Sequence, residues 1–311
     1  MERIVIAFGG NALLRSGDKA TYDIQLKRAT DAFEKLTNVI QNNEVVISHG
    51  NGPQVGDILL QNEASKDITP SLPLHSCGAM SQGLIGEILL NAYDSVRSKM
   101  GFEKNASVIV TRTLVDKNDP AFTNPSKPIG PFYKKEEAEE LARMNGWTVK
   151  EENGKGYRRL VASPQPLEIL ERPAIISLLM SGLLPIASGG GGIPVVKSGV
   201  GYSGTDAVID KDLASSFLAI TLKAQRFVIL TDVENVILGF GTGNEKRLYR
   251  ISAGELDKYY KDGYFPKGSM GPKVRAAVDF VKKTRGHASI GSLDHAEDVV
   301  SEKSGTQVFP D

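Results

Sequence analysis

Residues 4–11 read IVIAFGGN and residues 44–54 read EVVISHGNGPQ. Each segment predicts a short apolar strand followed directly by a glycine turn. Residues 24–40 between them carry apolar side chains at the spacing of one helical face. A further helix is expected from about Gln54. This order of strand, turn and helix predicts a parallel α/β sheet with right-handed crossovers, and it decides the fold class.

The same order continues along most of the chain. Residues 77–92 are apolar nearly all round and predict a helix buried by close packing, either within the chain or against a second subunit. Strands are predicted at 107–111 and 183–187, and four glycines follow the second of them at 189–192. After the last long helix, residues 288–290 predict a short closing strand.

The segment from Leu114 to Val161 interrupts this order. Four prolines, at positions 120, 125, 128 and 131, crowd its first part, and a charged helix is predicted at 136–144. A hairpin is predicted to turn at Asn153-Gly154. We interpret residues 114–161 as a lobe inserted into a single domain that spans residues 1–311.

The composition is that of an ordinary globular protein, with 41% hydrophobic and 24% charged residues among 311. A formal net charge of zero disfavours a nucleic-acid partner or an acidic membrane surface. The longest apolar stretch, 174–187, is broken by polar residues, glycine and proline, so no membrane span is predicted. Cys77 is the only cysteine, which excludes an internal disulfide and thiolate-rich metal sites. We therefore expect a cytoplasmic protein.

Three glycine turns, at 9–10, 50–52 and 189–192, follow predicted strands. If those strands are parallel, the turns lie on one edge of the sheet, where open α/β sheets bind ligands. Glycine lets backbone N–H groups approach an anion closely, and helix N-termini add partial positive charge. Glycines are common in such turns, but four in a row are costly without a use. Phosphate is the expected ligand.

Charged residues add to this prediction. Asp210-Lys211-Asp212 lies within an apolar run, which indicates a built electrostatic site, although Asp210 is also a good N-cap for the helix that follows. Lys273 is placed at another predicted helix start, and Lys127 lies in the stiff proline-rich segment. Lysines, glycine amides and Mg²⁺ would supply the positioning and charge neutralisation that phosphoryl transfer requires. Asp210 and Asp212 could then hold Lys211 and Lys273 in place.

The sequence does not indicate the other common nucleotide-binding motifs, a histidine metal site or a catalytic triad. The sequence contains neither a P-loop nor a dinucleotide-binding glycine pattern after a strand. Its histidines, at 49, 75, 287 and 295, have no metal-ligand spacing, and no Ser-His-Asp grouping can be proposed from spacing alone.

Taken together, the motifs resemble those of the carbamate kinases. The segments that carry the resemblance run from the first strand to the last helix: 7–12, 48–56, 78–83, 115–122, 124–133, 187–192, 207–214 and 268–273. The resemblance implies the amino-acid kinase fold, a three-layer αβα sandwich with a mainly parallel central sheet, usually a homodimer. It also implies reversible phosphoryl transfer between ADP and carbamoyl phosphate, giving ATP and carbamate, with Mg²⁺ accompanying the nucleotide.

The resemblance further implies roles for individual residues. Lys127, Lys211 and Lys273 would contact the reacting phosphates, and Asp212 would orient lysines. The residues implied at the substrate are Gly9, Gly10, Asn11, Gly50, Asn51, Gly52, Gly189 and Gly190, and those implied at the nucleotide are Asp210, Asp232, Val233, Met270, Gly271 and Pro272. No side chain is assigned to a metal. A general base is not expected, because the nucleophile in the direction of carbamoyl phosphate synthesis is already an anion.

One difference within the fold family sharpens the assignment. Most relatives with this fold carry lysine two residues before the first Gly-Gly, whereas this chain has Ala7, and Lys211 could supply the missing charge. Two small departures are Glu87, where an aromatic residue is expected, and the glycine- and serine-rich segment 199–205. The alternatives are another kinase of this fold, such as an acetylglutamate or isopentenyl phosphate kinase, and a nucleotide-binding protein without catalysis.

Overall fold

The computed structural model describes residues 1–10, 13–14, 17–152, 154–266 and 268–311. Nine α-helices lie within these ranges: α1 Tyr22–Asn42, α2 Gly52–Ala64, α3 Leu74–Met100, α4 Lys135–Asn145, α5 Arg172–Met180, α6 Lys211–Thr221, α7 Ala253–Lys261, α8 Met270–Thr284 and α9 Ala296–Val300. The strands are β1 Arg3–Phe8, β2 Glu44–His49, β3 Ala106–Val108, β4 Arg112–Leu114, β5 Lys127–Tyr133, β6 Thr148–Glu151, β7 Tyr157–Val161, β8 Glu168–Ile169, β9 Leu184–Ile186, β10 Ile193–Ser198, β11 Gly201–Gly204, β12 Arg226–Thr231, β13 Val236–Leu238, β14 Lys246–Leu248, β15 Arg250–Ser252, β16 His287–Ser292 and β17 Thr306–Phe309.

Eight strands form the main sheet, in the order β15-β17-β16-β12-β1-β2-β9-β3. From β16 to β3 every pairing is parallel, whereas β17 runs antiparallel to β16. The prediction of a mainly parallel α/β sheet is therefore confirmed.

Both faces of this sheet are covered by helices, as the alternation of side chains along β1 shows. Ile4, Ile6 and Phe8 pack in a core beneath α1, α3 and α9. Val5 and Ala7 point the other way and pack in a second core beneath α5, α6, α7 and α8. Because successive strand residues face opposite sides and both sides are apolar, the sheet requires a helical layer on each face. This is the three-layer αβα sandwich.

The prediction of one strand at 107–111 was wrong. The chain instead makes β3 in the main sheet and β4 in a second sheet of order β11-β10-β4-β8. The cause lies at Thr111, whose backbone N–H donates to Gln82 Oε1 (2.8 Å) and whose carbonyl accepts from Gln82 Nε2 (3.1 Å). The Gln82 side chain thus takes the hydrogen bond that the Thr111 amide would have made to a neighbouring strand, while the Thr111 carbonyl also accepts from the Ile193 amide of β10 (2.8 Å).

The prediction that 288–290 closes the sheet was also incomplete. β16 covers these residues, but the chain then turns through α9 and returns as β17. The mixed residues of 306–309 do not show the continuous apolar run of a central strand, because this strand lies near the sheet edge.

The lobe contains a sheet of its own, in the order β5-β7-β6, with α4 between β5 and β6. The predicted hairpin joins β6 to β7 as an antiparallel pair, although Asn153 itself lies outside the described residues. Ile129 and Val161 of the lobe pack with Val55 and Ile58 of α2, so the lobe is seated on the start of that helix.

Helix α3 is longer than predicted and only one side of it is buried. Gly86 is packed so closely that a Cβ atom there would lie 2.7 Å from Val108 Cγ1. On the other side Met80 and Leu84 are 47% and 42% exposed. Nowhere in the described part of the chain is there a helix long and apolar enough to cross a membrane.

Candidate active site

The glycine turns after β1, β2 and β9 meet at the carboxyl edge of the main sheet. A Cβ atom on Gly50 would lie 3.3 Å from the Gly10 amide nitrogen, and one on Gly190 would lie 2.2 Å from the Asn51 side chain. Gly190 also has a φ of +62°, which favours glycine. The close approach of the three turns therefore depends on residues that have no side chain.

A buried carboxylate lies beside these turns and pairs with two lysines. Asp212 Oδ1 is 2.6 Å from Lys211 Nζ, and Asp212 Oδ2 is 3.1 Å from Lys273 Nζ. Burial alone would raise the pKa of Asp212, but the two ammonium groups outweigh it and hold that pKa below its usual value. Asp212 is thus an anion that brings together the first turns of α6 and α8.

Lys211 has hydrogen-bonding capacity left over. Its Nζ is close to Asp212 Oδ1, yet the two groups are not aligned for a hydrogen bond, and no other acceptor among the described residues is. Burial lowers the pKa of Lys211, Asp212 opposes that effect, and the charge of Lys273 adds to it. The Lys211 side chain lines the cleft described below. The ammonium is therefore a buried cation next to the cleft that has donor capacity beyond its ion pair with Asp212.

The hypothesis that Asp210 holds Lys211 or Lys273 was wrong. Asp210 Oδ2 instead accepts a hydrogen bond of 2.8 Å from Lys127 Nζ of the lobe. Its Oδ1 accepts from the amides of Asp212 (2.9 Å) and Leu213 (3.3 Å), so Asp210 is the N-cap predicted for α6. The implied contact of Asp210 with a nucleotide stays a prediction.

A cleft of about 530 Å³ separates the glycine turns from the lobe. Its floor contains Lys211 and five predicted substrate residues, and its far wall is formed by β5 together with Arg158. The predicted residues that line it are Gly10, Gly50, Asn51, Gly52, Gly190, Lys127 and Lys211. The pairing with Asp210 holds Lys127 over this space from the lobe side.

The remaining predicted substrate residues lie behind the cleft lining or outside the described residues. Gly9 packs against Leu230, where an added Cβ atom would lie 2.9 Å from the carbonyl oxygen. Gly189 is buried, and a Cβ atom there would collide with the His49 ring. Asn11 lies outside the described residues.

The five other residues predicted at the nucleotide do not line this cleft. Asp232 and Val233 follow the carboxyl end of β12, the strand next to β1, and Asp232 Oδ1 accepts a hydrogen bond of 3.0 Å from Thr231. Met270, Gly271 and Pro272 form the first turn of α8 just before Lys273. The first turn of α8 is thus next to Lys273, which pairs with Asp212, and β12 lies beside β1, whose glycine turn reaches the cleft.

His49 is a supporting residue for which the sequence predicts no role. The ring is buried beneath the glycine turns, with Nδ1 3.0 Å from Gly50 O. Burial lowers the pKa of His49 to about 4, the contact with Gly50 opposes this effect, and the charge of Lys211 adds to it. His49 is therefore a neutral side chain that fills the space under the turns without bringing a further positive charge.

This burial predicts acid sensitivity. The folded-state pKa of His49 is below its unfolded value of about 6.5, so its contribution is fully present above pH 6.5 and is lost as the pH falls toward 4. The loss should amount to about 3 kcal/mol in the free energy of unfolding. Urea unfolding between pH 7 and 4 measures it. His49→Gln should remove most of the slope, whereas the exposed His295→Gln should leave it; equal slopes in both variants would contradict the assignment.

A second supporting group comes from α3. Gln82 Nε2 donates to the carbonyl oxygens of Thr111 and Gly189, both at 3.1 Å, and Ser81 Oγ accepts from Asn51 Nδ2 (2.8 Å). These side chains fix two of the three glycine turns from behind. The sequence predicts only a packing helix here, since neither residue shows a catalytic pattern.

Comparison with known proteins identifies relatives of this chain. The sequence model that describes the amino acid kinase family matches residues 2–292 of this chain. The carbamate kinase of Thermoplasma volcanium is 51% identical, with 100% of each chain covered. The carbamate kinase of Giardia lamblia bound to AMP-PNP superposes with a TM-score of 0.94 at 44% identity, over 100% of this chain and 99% of the other. The isopentenyl phosphate kinase substrate complex, at 15% identity and a TM-score of 0.54, shares the fold.

Proposed function

The chain belongs to the amino acid kinase family, and we propose from this premise that it is a phosphotransferase acting as a carbamate kinase. It interconverts ADP and carbamoyl phosphate with ATP and carbamate. The observation that carries the proposal is the buried Asp212 with its two lysines, facing a glycine-lined cleft that Lys127 closes from the lobe. Relatives of that name match over the whole chain.

The proposed reaction is a direct phosphoryl transfer. A β-phosphate oxygen of ADP attacks the phosphorus of carbamoyl phosphate, the bond from phosphorus to the carbamate oxygen breaks, and carbamate leaves with the electron pair. Both the attacking and the leaving oxygen are anionic, so no proton has to be moved by a general base. The task of the protein is to hold the two phosphates in line and to neutralise their charge.

Each part of the site has a place in this scheme. The amides of the glycine turns and the N–H donors of Lys211 bind the phosphoryl oxygens in the cleft. Lys127 binds them from the lobe side, and Lys273 binds the phosphates of the nucleotide from the start of α8. Asp212 holds Lys211 at one carboxylate oxygen and Lys273 at the other, and it compensates their charges.

We propose that Mg²⁺ enters with the nucleotide, because Mg²⁺ is usually held by substrate phosphates and one or two carboxylates. In the part of the chain that the structure describes, no three His, Cys, Asp or Glu side chains are grouped to hold a metal. Asp210 and Asp212 are already engaged with lysines. The nucleotide phosphates therefore suit the ion better than any side-chain cage here, and the ion supplies further neutralisation of their charge.

The direct test is ATP formation by the purified protein from ADP, Mg²⁺ and carbamoyl phosphate. Omission of carbamoyl phosphate is the control. Acetyl phosphate serves as an alternative phosphoryl donor, and N-acetylglutamate is tested as an acceptor with ATP in the opposite direction. ATP from carbamoyl phosphate alone supports the proposal. Activity on another acyl substrate and none on carbamoyl phosphate would favour a different kinase of this fold, and nucleotide binding without transfer would favour a binding protein.

Lys127→Ala should raise the KM for carbamoyl phosphate by about 10- to 100-fold, the effect of one lost charge-assisted hydrogen bond. The KM for ADP should change less than about twofold, because Lys127 lies on the lobe side of the cleft. Lys155→Ala, which removes an exposed lysine from the same lobe, is the matched control. An equal rise in both KM values would show that Lys127 serves general closure of the lobe.

Three broader properties complete the proposal. The chain is one domain, because both helical layers share the same sheet. It forms a homodimer, which is supported by the apolar residues Met80, Leu84 and Tyr202, all more than 40% exposed. It is located in the cytoplasm, which is supported by its phosphorylated substrates and by Cys77 being unable to form an internal disulfide.

A further inference from the structure

Asp210 occupies the point where the lobe meets the first turn of α6. One of its oxygens accepts hydrogen bonds from two backbone amides of that turn, and the other accepts from Lys127 Nζ at 2.8 Å. The Asp210 side chain is 13% exposed, against 35% for Lys127. A single carboxylate therefore connects the helix that carries Lys211 with the lobe strand that carries Lys127.

We propose that Asp210 is a positioning residue that aims the Lys127 ammonium at the phosphoryl group in the cleft. The inference rests on the proposed function. A lysine ammonium has three N–H donors, and the bond to Asp210 uses one of them, which leaves two for an anion. Asp210 lies behind Lys127, so it acts on the substrate through that lysine.

The rigidity of Asp210 makes this role possible. Its carboxylate is fixed by the two amides of α6, and α6 packs against the main sheet in the larger apolar core. Lysine has a long, flexible side chain that otherwise loses much rotational freedom when it binds a ligand. The ion pair imposes that restriction before the substrate arrives, which improves affinity without a new contact.

A purely structural role for Asp210 would be either to cap α6 or to seat the lobe. The cap can be separated from the ion pair, because asparagine is as good an N-cap as aspartate. In Asp210→Asn the amide oxygen can keep the backbone contacts, but the amide nitrogen then faces Lys127 with a donor instead of an acceptor.

Seating of the lobe has a control of its own in Asp206. This second carboxylate also joins the lobe to the body, 3.6 Å from Arg159 and 3.8 Å from His75. It does not line the substrate cleft. Asp206→Asn therefore weakens a lobe contact without touching Lys127.

The experiment measures steady-state kinetics of the whole protein for Asp210→Asn, Lys127→Ala, their double variant and Asp206→Asn. Asp210→Asn should raise the KM for carbamoyl phosphate by about tenfold, with the KM for ADP and the urea midpoint almost unchanged. In the Lys127→Ala background the same change should add less than about twofold. Asp206→Asn should leave both KM values as they are.

Two kinetic outcomes would overturn the proposal. One is a tenfold effect of Asp210→Asn that persists without Lys127, because the residue would then act on its own. The other is the same rise in KM from Asp206→Asn, because lobe seating would then explain both.

Calorimetric titration with inorganic phosphate separates this proposal from the proposed function. If the wild type makes no ATP, the function fails, yet Asp210→Asn should still weaken phosphate binding about tenfold and should do so only when Lys127 is present. Unchanged phosphate affinity in Asp210→Asn, or no phosphate binding by the wild type, would overturn the positioning role itself.

Discussion

Replacing Lys211 by alanine is expected to lower kcat for ATP formation by at least about a thousandfold. Removing one preorganised donor from an oxyanion site costs about 100- to 1,000-fold, and here a full positive charge is lost as well. The fold should survive, because Asp212 remains paired with Lys273 at 3.1 Å. Initial rates with saturating ADP and carbamoyl phosphate measure the loss, and urea unfolding confirms that the variant is folded.

Two further variants make the Lys211 result specific. Lys211→Met keeps most of the buried side-chain volume and should lose as much activity as the alanine variant, which attributes the effect to charge and not to a cavity. Lys197→Ala removes an exposed lysine from β10 and should behave like the wild type. Turnover in Lys211→Ala within about tenfold of the wild type would remove Lys211 from the mechanism.

Asp212→Asn is expected to lower the free energy of unfolding by about 3–5 kcal/mol, the usual cost of removing one partner from a buried ion pair. Lys211 and Lys273 would then face each other with no carboxylate between them, and kcat should fall sharply because both lysines lose their positions. Urea unfolding at pH 7 measures the first effect. Inorganic phosphate should restore part of the stability, since an anion in the cleft compensates the unpaired positive charge.

A matched control exists on the surface. Asp257 also pairs with two lysines, Lys261 at 2.8 Å and Lys282 at 2.5 Å, but these lysines are 71% and 41% exposed. Asp257→Asn should therefore cost about 1 kcal/mol or less. A similar loss of stability in both variants would mean that burial does not increase the cost of removing the Asp212 carboxylate.

The two alternatives left open by the sequence are now less well supported than a carbamate kinase. A different kinase of this fold would be expected to resemble its own relatives more closely, whereas the full-length relatives named above are carbamate kinases at 44–51% identity. A nucleotide-binding protein without catalysis would have no need for Lys127, Lys211 and Lys273. All three are present and within hydrogen-bonding or ion-pair distance of Asp210 or Asp212.

Local sequence patterns predicted the sheet type and many of the helices and strands, but not the break between β3 and β4 or the return strand β17. Apolar runs followed by glycine predicted β1, β2 and β9, and the parallel order placed their turns on one edge. The N-cap at Asp210 was also predicted, and its side chain accepts from the amides of Asp212 and Leu213. These features depend on neighbouring residues, so local periodicity and capping preferences are sufficient to predict them.

Which of the two expected carboxylates pairs with which lysine depends on the tertiary structure, which gives Lys211 and Lys273 to Asp212 and Lys127 to Asp210. The Lys127–Asp210 contact joins residues 83 positions apart and the Lys273–Asp212 contact joins residues 61 apart, so neither pairing can be read from local spacing. The same holds for Thr111, where a glutamine from α3 interrupts a strand, and for His49, whose pKa depends on its burial under the glycine turns. Electrostatic energy depends on distance and burial in space, and both are set only when the distant segments pack together.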